Sequence, residues 1–308
     1  MTSQATGTES LNPRSAALDT MSTLDIVTLM NEEDATVPAA IRPTLPAIAA
    51  AVDAIAGRLR GGGRLVYAGA GTSGRLAMLD AVECVRTFSV PPTLVTVLLA
   101  GGPAALTASV EGAEDDADVA RSDVAEARIS QADALVGITA SGTTPYVVAA
   151  LGAARERGAL TIAIANNRAA PILDVANYPI AVVTGPEVLA GSTRLKAGTA
   201  QKLILNMIST TVMVRLGRVY GNRMVDVAVG NSKLRARAEG IVADLVGCAP
   251  HAAAELLAAS QDEVRTAVVM GLAGVDASEA RARLAAASGD LRHILAGGIA
   301  AEPRSAAR

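Results

Sequence analysis

Five short apolar runs alternate with amphipathic helical segments through the middle of the chain. The runs cover residues 64–68, 93–99, 134–139, 160–165 and 178–183. Strands of this length separated by helical spacers are typical of a parallel, doubly wound α/β sheet. Ligands of such sheets bind beyond the carboxyl ends of the strands, so the segments that follow the runs are the first place to look for chemistry.

Helical periodicity flanks this central part on both sides. Residues 1–22 are polar and rich in Ser and Thr, and we expect them to be mobile near their start. Two helices are predicted next, one from Ser22 and one from about Pro38 to Leu59, where a glycine triplet ends it. A long helix is predicted after the fifth strand, over 197–216. The predicted parts are an N-terminal arm with helices (1–53), an α/β domain (54–235) and a small C-terminal helical subdomain (236–308).

Composition and charge exclude several classes of function. The net charge of -3 and the pI of about 5.5 argue against a nucleic-acid surface. Aromatic residues make up only 2%, so a sugar ligand must be held mainly by hydrogen bonds and charge. The two cysteines, Cys84 and Cys248, form no motif, and the start of the chain does not resemble a signal peptide. No apolar run approaches the roughly 20 residues of a membrane helix. We therefore expect a soluble cytoplasmic protein.

The first strand runs into a glycine turn and the start of a helix. Gly69, Gly71 and Gly74 have the spacing G-x-G-x-x-G, which occurs at dinucleotide sites. A dinucleotide site also needs an acidic residue at the end of the second strand, and residues 93–102 contain none. Thr72 and Ser73 instead offer hydroxyl groups at a helix N-terminus, which suits a phosphate monoester.

A similar turn follows the third strand. It contains Ser141, Thr143 and Thr144, and Pro145 suits the first turn of a helix. These hydroxyl groups are consistent either with a phosphate site or with ordinary helix capping. The occurrence of two such turns after strands of one sheet leaves both interpretations open.

Two acidic residues are candidates for proton transfer. Glu83 lies among apolar residues on the helix after the first turn, and Glu114 belongs to an acidic run that ends with Asp115 and Asp116. The alternative for each is a solvated helix face. Lys196 and Lys202, near the predicted strand ends, are either solvated or ligand-binding.

Metal chemistry has little support in the sequence. The two histidines, His251 and His293, are isolated and have no ligand-spaced partners. Because the chain has only these two histidines, the sequence also argues against a catalytic nucleophile activated by a histidine. We expect no metal and no cofactor.

Taken together, these motifs resemble those of the N-acetylmuramic acid 6-phosphate etherase family. The resemblance is carried by residues 69–76, 80–84, 111–116, 140–146, 185–202 and 221–227. It implies a sugar-isomerase (SIS) domain, a helical C-terminal part and a homodimer. It also implies cleavage of the D-lactyl ether of N-acetylmuramic acid 6-phosphate during peptidoglycan recycling. An aldose–ketose isomerase and a non-catalytic sugar-phosphate sensor on the same fold are the alternatives.

The resemblance also implies roles for individual residues. Glu83 is expected to be the acid that protonates the departing lactate, and Glu114 the base at C2. The phosphate is expected among Thr72, Ser73, Ser141, Thr143 and Thr144. The chain departs from the usual family pattern at Val82, Val85 and Arg86, and at Thr143, where the family usually has Arg.

Overall fold

The computed structural model describes residues 7–287 and 289–296. These residues form two compact units, one of residues 7–82 and 92–212 and one of residues 83–91 and 213–296. The division falls within two long helices, Gly71–Phe88 and Lys196–Arg215. The three-part division at residues 53 and 235 remains a prediction.

All five predicted strands are present and form one parallel sheet in the first unit. They are β1 (Leu65–Gly69), β2 (Val95–Leu99), β3 (Ala134–Thr139), β4 (Leu160–Ala165) and β5 (Tyr178–Ala181). The strand order is β2-β1-β3-β4-β5, and Gly69 lies in register with Leu99 on one side and Ile138 on the other. This order reverses the direction of winding at β1 and β3, which makes their carboxyl ends the switch point of the sheet.

The helices that begin in the first unit include those expected from the sequence. They are α1 (Thr23–Asp34), α2 (Val37–Ile41), α3 (Leu45–Arg60), α4 (Gly71–Phe88), α5 (Ala117–Glu126), α6 (Pro145–Glu156), α7 (Pro171–Val175) and α8 (Lys196–Arg215). The single helix predicted from Pro38 to Leu59 is wrong, because a 3₁₀ turn at Arg42–Thr44 divides it. Pro43 lies in that turn and has no N–H to continue an α-helical ladder.

Helices cover both faces of the sheet, as a doubly wound fold requires. Alternate strand residues such as Val66, Leu135 and Ala163 belong to an apolar cluster with α5, α6 and α7. On the opposite face the Tyr67 hydroxyl donates to Asp80 of α4 at 2.9 Å. Asp80 also accepts from Asn206 and Ser209 of α8, at 2.7 and 3.0 Å. This buried carboxylate therefore joins β1, α4 and α8.

The N-terminal arm is packed from Gly7 onward, so the expected mobility does not extend to this part. Thr8 is fully buried and Asn12 is 6% exposed. Residues 1–6 lie outside the described part of the chain. Among the described residues, the helical stretch of residues 23–60 is long and apolar enough to qualify as a membrane span. In this structure it comprises α1, α2, the 3₁₀ turn and α3, and α3 packs against β4 and β5.

The second unit is helical and has its own core. Its helices are α9 (Ser232–Val246), α10 (Pro250–Ala259), α11 (Val264–Ala273), α12 (Ala277–Ala286) and α13 (Leu291–Ala296). Residues of α11 such as Ala267 and Val268 are fully buried at its centre. Burial raises the pKa of Asp226, although Arg265 and Arg218 pair with it at 2.5 and 3.1 Å. Within the described residues, Cys84 and Cys248 form no disulfide.

A buried ion pair joins α1 to the start of α8. The Nζ of Lys196 lies 2.6 Å from Oε2 of Glu33, and the two side chains are only 4% and 9% exposed. Glu33 also accepts from Arg14 at 3.0 Å and interacts with Asn12. Burial acts to raise the pKa of Glu33, but hydrogen bonds from Lys196, Asn12 and Arg14 outweigh it and hold the pKa below its usual value.

We predict that Glu33→Gln lowers the free energy of unfolding at pH 7 by about 3–5 kcal/mol, because it leaves the Lys196 ammonium buried without a counter-ion. A carboxylate whose pKa is lowered by folding stabilises above its unfolded pKa of about 4.3 and loses that contribution as the pH falls. The difference from wild type should therefore shrink below about pH 4. Urea unfolding of both proteins at pH 7 and below about pH 4 measures this difference in the free energy of unfolding. Glu32→Gln is the control, since Glu32 also contacts Arg14 but is exposed; equal losses in the two variants would contradict the prediction.

Candidate functional site

The candidate site lies at the switch point of the sheet, where the loops after β1 and β3 open. Helix α4 begins at Gly71, directly beyond β1, and Thr144 forms the N-cap of α6 beyond β3. Two helices of 18 and 12 residues therefore start at neighbouring strand ends. The unpaired N–H groups and the dipole at such helix starts favour an anion.

The glycines of the first turn serve close packing between strand and helix. A Cβ on Gly69 would come within 2.8 Å of the Cα of Gly74, and a Cβ on Gly74 would meet Leu99 at 2.3 Å. Gly71 has a positive φ of 52° but open space around it. The spacing that resembles a dinucleotide motif is therefore explained by the contact between β1 and the first turn of α4. This contact sets the positions of Thr72 and Ser73.

Hydroxyl groups organise the second turn. The Oγ1 of Thr139 lies 2.8 Å from the Thr144 hydroxyl and 3.3 Å from the Ser141 hydroxyl, and it accepts from the Gly142 N–H at 3.2 Å. Ser141 in turn accepts from both the N–H and the hydroxyl of Thr143, at 3.2 and 3.0 Å. The turn is a small network whose members hold one another in place.

Both turns open into one pocket of about 180 Å³. Its lining combines backbone from the two turns, six hydroxyl side chains and two carboxylates. The lining residues are Glu9, Ala70, Gly71, Thr72, Ser73, Glu114, Ile138, Thr139, Ala140, Ser141, Thr144 and Thr193. None of these twelve residues is basic. An anion in this pocket would be held by hydroxyl groups and helix N-termini rather than by a cationic side chain.

Glu114 of the predicted acid pair lines this pocket. It lies in the 3₁₀ turn Ala113–Asp115, just before Asp116, which caps α5 by accepting from two backbone N–H groups. Tyr146 of α6 donates to Asp123 of α5 at 2.5 Å, and this bond ties together the two helices beside the Glu114 turn. Burial, followed by this bond to Asp123, raises the pKa of the Tyr146 hydroxyl.

The other predicted residues divide between the pocket and its surroundings. Thr72, Ser73, Ser141 and Thr144 line it as expected. Thr143 is exposed and is not a lining residue, although it bonds to Ser141. Glu83 is on the part of α4 that belongs to the second unit, and its side chain is exposed rather than enclosed by apolar neighbours.

Several residues with a place at the site were not found from the sequence. Thr139 is the last residue of β3 and looks like an ordinary strand residue. Thr193 lies in a long loop, and Glu9 lies in an arm that appeared featureless. Lys196 is buried against Glu33, so it is neither solvated nor in the pocket, whereas Lys202 is exposed.

The parallel sheet, its strand order and a hydroxyl-lined pocket at the switch point fit an SIS domain, and family models identify the chain as an SIS-domain protein. Two family models match it, the SIS domain over residues 114–210 and the glucokinase regulatory protein N-terminal SIS domain over residues 47–155. A phosphoheptose isomerase structure from Francisella tularensis has a TM-score of 0.51 at 21% identity, covering 63% of this chain and all of that one. This likeness shows the fold alone.

Curated relatives give the family. N-acetylmuramic acid 6-phosphate etherase from Streptomyces coelicolor is 52% identical over 292 residues, which is 95% of this chain and 94% of that protein. The enzyme of the same name from Mycolicibacterium smegmatis is 50% identical, covering 94% of this chain and 98% of that protein. The chain belongs to the N-acetylmuramic acid 6-phosphate etherase family. The resemblance noted in the sequence is confirmed.

Proposed function

We propose that this protein cleaves the D-lactyl ether of N-acetylmuramic acid 6-phosphate, giving N-acetylglucosamine 6-phosphate and D-lactate. It is a carbon–oxygen lyase that acts on an amino-sugar phosphate. The observation that carries the proposal is the pocket that combines two helix N-termini and their hydroxyl groups with the carboxylate of Glu114. Relatives of about half-identical sequence over nearly the whole chain carry the name of this activity.

The proposed reaction needs only an acid and a base, and two carboxyl groups can supply both. The alkoxide expelled from an ether is a poor leaving group, but opening the sugar ring produces an aldehyde at C1 that acidifies the proton on C2. A base removes that proton, the C3–O bond breaks, and an acid protonates the departing lactate oxygen. Water then adds across the C2=C3 double bond, with a proton returning to C2 and the hydroxyl to C3. A positioned acid or base typically contributes about 10²–10⁴-fold to such a step.

We assign the base at C2 to Glu114 and the acid at the ether oxygen to Glu83. The place of Glu114 in the lining of the pocket supports the first assignment. The second assignment rests on the family motif around Glu83. Because the aldehyde itself acidifies C2, this route calls for neither a metal nor a nucleotide.

We assign the phosphate to the two turns. Thr72 and Ser73 lie in the first turn of α4, and Ser141 and Thr144 precede α6, so their hydroxyl groups and the helix starts converge on one space. Thr143 contributes by bonding to Ser141 rather than from the lining itself.

We also propose that the protein acts in the cytoplasm, in peptidoglycan recycling, as a homodimer. Two cysteines that form no disulfide in the described part of the chain suit a reducing compartment. Leu24 and Val27 are 73% and 53% exposed one turn apart on α1, an apolar surface that a second copy could cover. Light scattering should then give twice the chain mass of 31.0 kDa.

The isomerase and sensor alternatives are not favoured, because the curated relatives bear the name of an etherase.

We predict that the purified protein releases D-lactate from N-acetylmuramic acid 6-phosphate without added metal or nucleotide. A coupled D-lactate dehydrogenase assay measures this release. Chromatography of the sugar product distinguishes the alternatives. A ketose phosphate without lactate would identify an isomerase, and tight binding without turnover would identify a sensor; either outcome would overturn the proposal.

We predict that Glu83→Gln separates the two half-reactions. Exchange of the C2 proton in D₂O should persist, while lactate release falls by about 10²-fold or more, because only the acid at the leaving oxygen is lost. NMR of the sugar measures the exchange, and the lactate assay measures the release. Glu156→Gln, which neutralises an exposed glutamate on α6, is the control. Equal loss of exchange and release in Glu83→Gln would contradict the division of roles.

We predict that Ser141→Ala raises KM for the phosphorylated substrate about tenfold or more with little change in kcat. A hydrogen bond to a charged group is typically worth about 1.5–3 kcal/mol, and one that is equally strong in ground and transition states affects KM alone. Steady-state kinetics measure both constants. Ser122→Ala removes an exposed hydroxyl outside the pocket and should change neither. An unchanged KM in Ser141→Ala would remove this residue from the phosphate site.

A further inference from the structure

The pocket contains a second carboxylate that the mechanism does not use. Glu9 lines it together with Glu114, although the two residues are far apart in the chain. Glu9 ends the 3₁₀ turn Gly7–Glu9 of the N-terminal arm. A Cβ built on Gly191, in the loop before α8, would lie 3.5 Å from Oε2 of Glu9. The carboxylate therefore lies between the pocket and that loop.

The arm is fixed on the N-terminal side of Glu9. The Thr8 N–H donates to Oδ1 of Asn167 at 3.3 Å, and Nδ2 of Asn167 donates to the Thr8 hydroxyl at 3.3 Å. The same Nδ2 also donates to the carbonyl groups of Ala140 and Ser141, at 3.3 and 3.4 Å. Asn167 thus connects the arm directly to the turn that follows β3.

The arm is also fixed on the C-terminal side of Glu9. Asn12 is buried, accepts from the Arg14 N–H at 3.0 Å and interacts with Glu33. The Arg14 guanidinium bonds to Glu33 at 3.0 Å, and Glu33 is paired with Lys196. Two buried anchors, one on each side, therefore hold a short turn whose Glu9 side chain lines the pocket.

The chemistry of the pocket gives this carboxylate a specific partner. Hydroxyl groups and helix starts suit the phosphate, and an ionised carboxylate only accepts hydrogen bonds and repels anions. Away from its phosphate, an N-acetylamino sugar phosphate offers two kinds of donor, its hydroxyl groups and the N–H of its acetamido group. Ring opening converts the C1 hydroxyl into the aldehyde and frees a hydroxyl at C5, so the reactive form offers a donor at C5 instead of C1.

On the basis of the proposed function, we infer that Glu9 is a substrate-binding residue that accepts hydrogen bonds from the hydroxyl groups of the ring-opened sugar phosphate. It orients the carbon chain so that C2 faces Glu114.

The test compares an open-chain ligand with bare phosphate. Glucitol 6-phosphate carries the hydroxyl groups and the phosphate but no carbonyl group, so it binds without turnover. Calorimetric titration of the full chain should show that Glu9→Gln weakens glucitol 6-phosphate about tenfold or more, while the affinity for inorganic phosphate stays within about twofold. Asp19→Asn, which neutralises an exposed carboxylate of the same arm, is the matched control and should change neither affinity.

A second variant moves the arm without removing the carboxylate. Gly7 has a φ of +66°, and a Cβ there would clash with Oδ1 of Asn167, a side chain that makes four hydrogen bonds. Gly7→Ala should therefore weaken glucitol 6-phosphate binding as Glu9→Gln does.

The outcomes separate this inference from the proposed function. An unchanged affinity of Glu9→Gln for glucitol 6-phosphate would overturn the role of Glu9. Parallel loss of glucitol 6-phosphate and inorganic phosphate binding would also overturn it, because Glu9 would then only support the phosphate turns. Failure of the wild-type protein and of Asp19→Asn to release lactate would instead reject the proposed function.

Discussion

The close approach of Gly69 and Gly74 is the contact on which the candidate site depends. Neither residue can carry a Cβ without meeting backbone or Leu99, so the end of β1 and the first turn of α4 lie in direct contact. This contact places the start of α4 at the edge of the sheet, beside the turn after β3. Without it, the two hydroxyl-bearing turns would not line one pocket. The main role of the glycine motif is therefore to allow close packing of β1 against α4. It favours phosphate binding only indirectly, because this packing positions the N-terminus of α4.

The charge distribution of the pocket explains what it can bind and what it can do. Its six hydroxyl groups and two helix starts offer hydrogen bonds to an anion without a cationic side chain. Carboxylates occupy the same pocket, and an anchored arm supplies one of them. A substrate with a phosphate at one end and hydroxyl groups and an acidic C–H further along matches this arrangement. An elimination driven by the substrate's own aldehyde needs little more than correctly placed acids and bases.

Much of the fold and part of the site could be predicted from the sequence, because local patterns determine them. Buried parallel strands consist of consecutive apolar residues, and all five strands lie where the apolar runs predict them. Ser141, Thr144 and Glu114 stood in recognisable turns. Thr139, Thr193 and Glu9 could not be found in this way, since only the tertiary fold brings a strand end, a long loop and an N-terminal arm together. Lys196 was ambiguous for the same reason, because its partner Glu33 is distant in the sequence.

The proposed reaction breaks the ether by elimination and then hydrates the unsaturated sugar. The most direct test is one reaction of the wild-type protein with N-acetylmuramic acid 6-phosphate in D₂O enriched in ¹⁸O, followed by mass spectrometry and NMR of both products. Elimination followed by hydration should place deuterium at C2 and ¹⁸O at C3 of the N-acetylglucosamine 6-phosphate, and no ¹⁸O in the lactate hydroxyl. Appearance of ¹⁸O in the lactate hydroxyl, or retention of the original proton at C2, would contradict it.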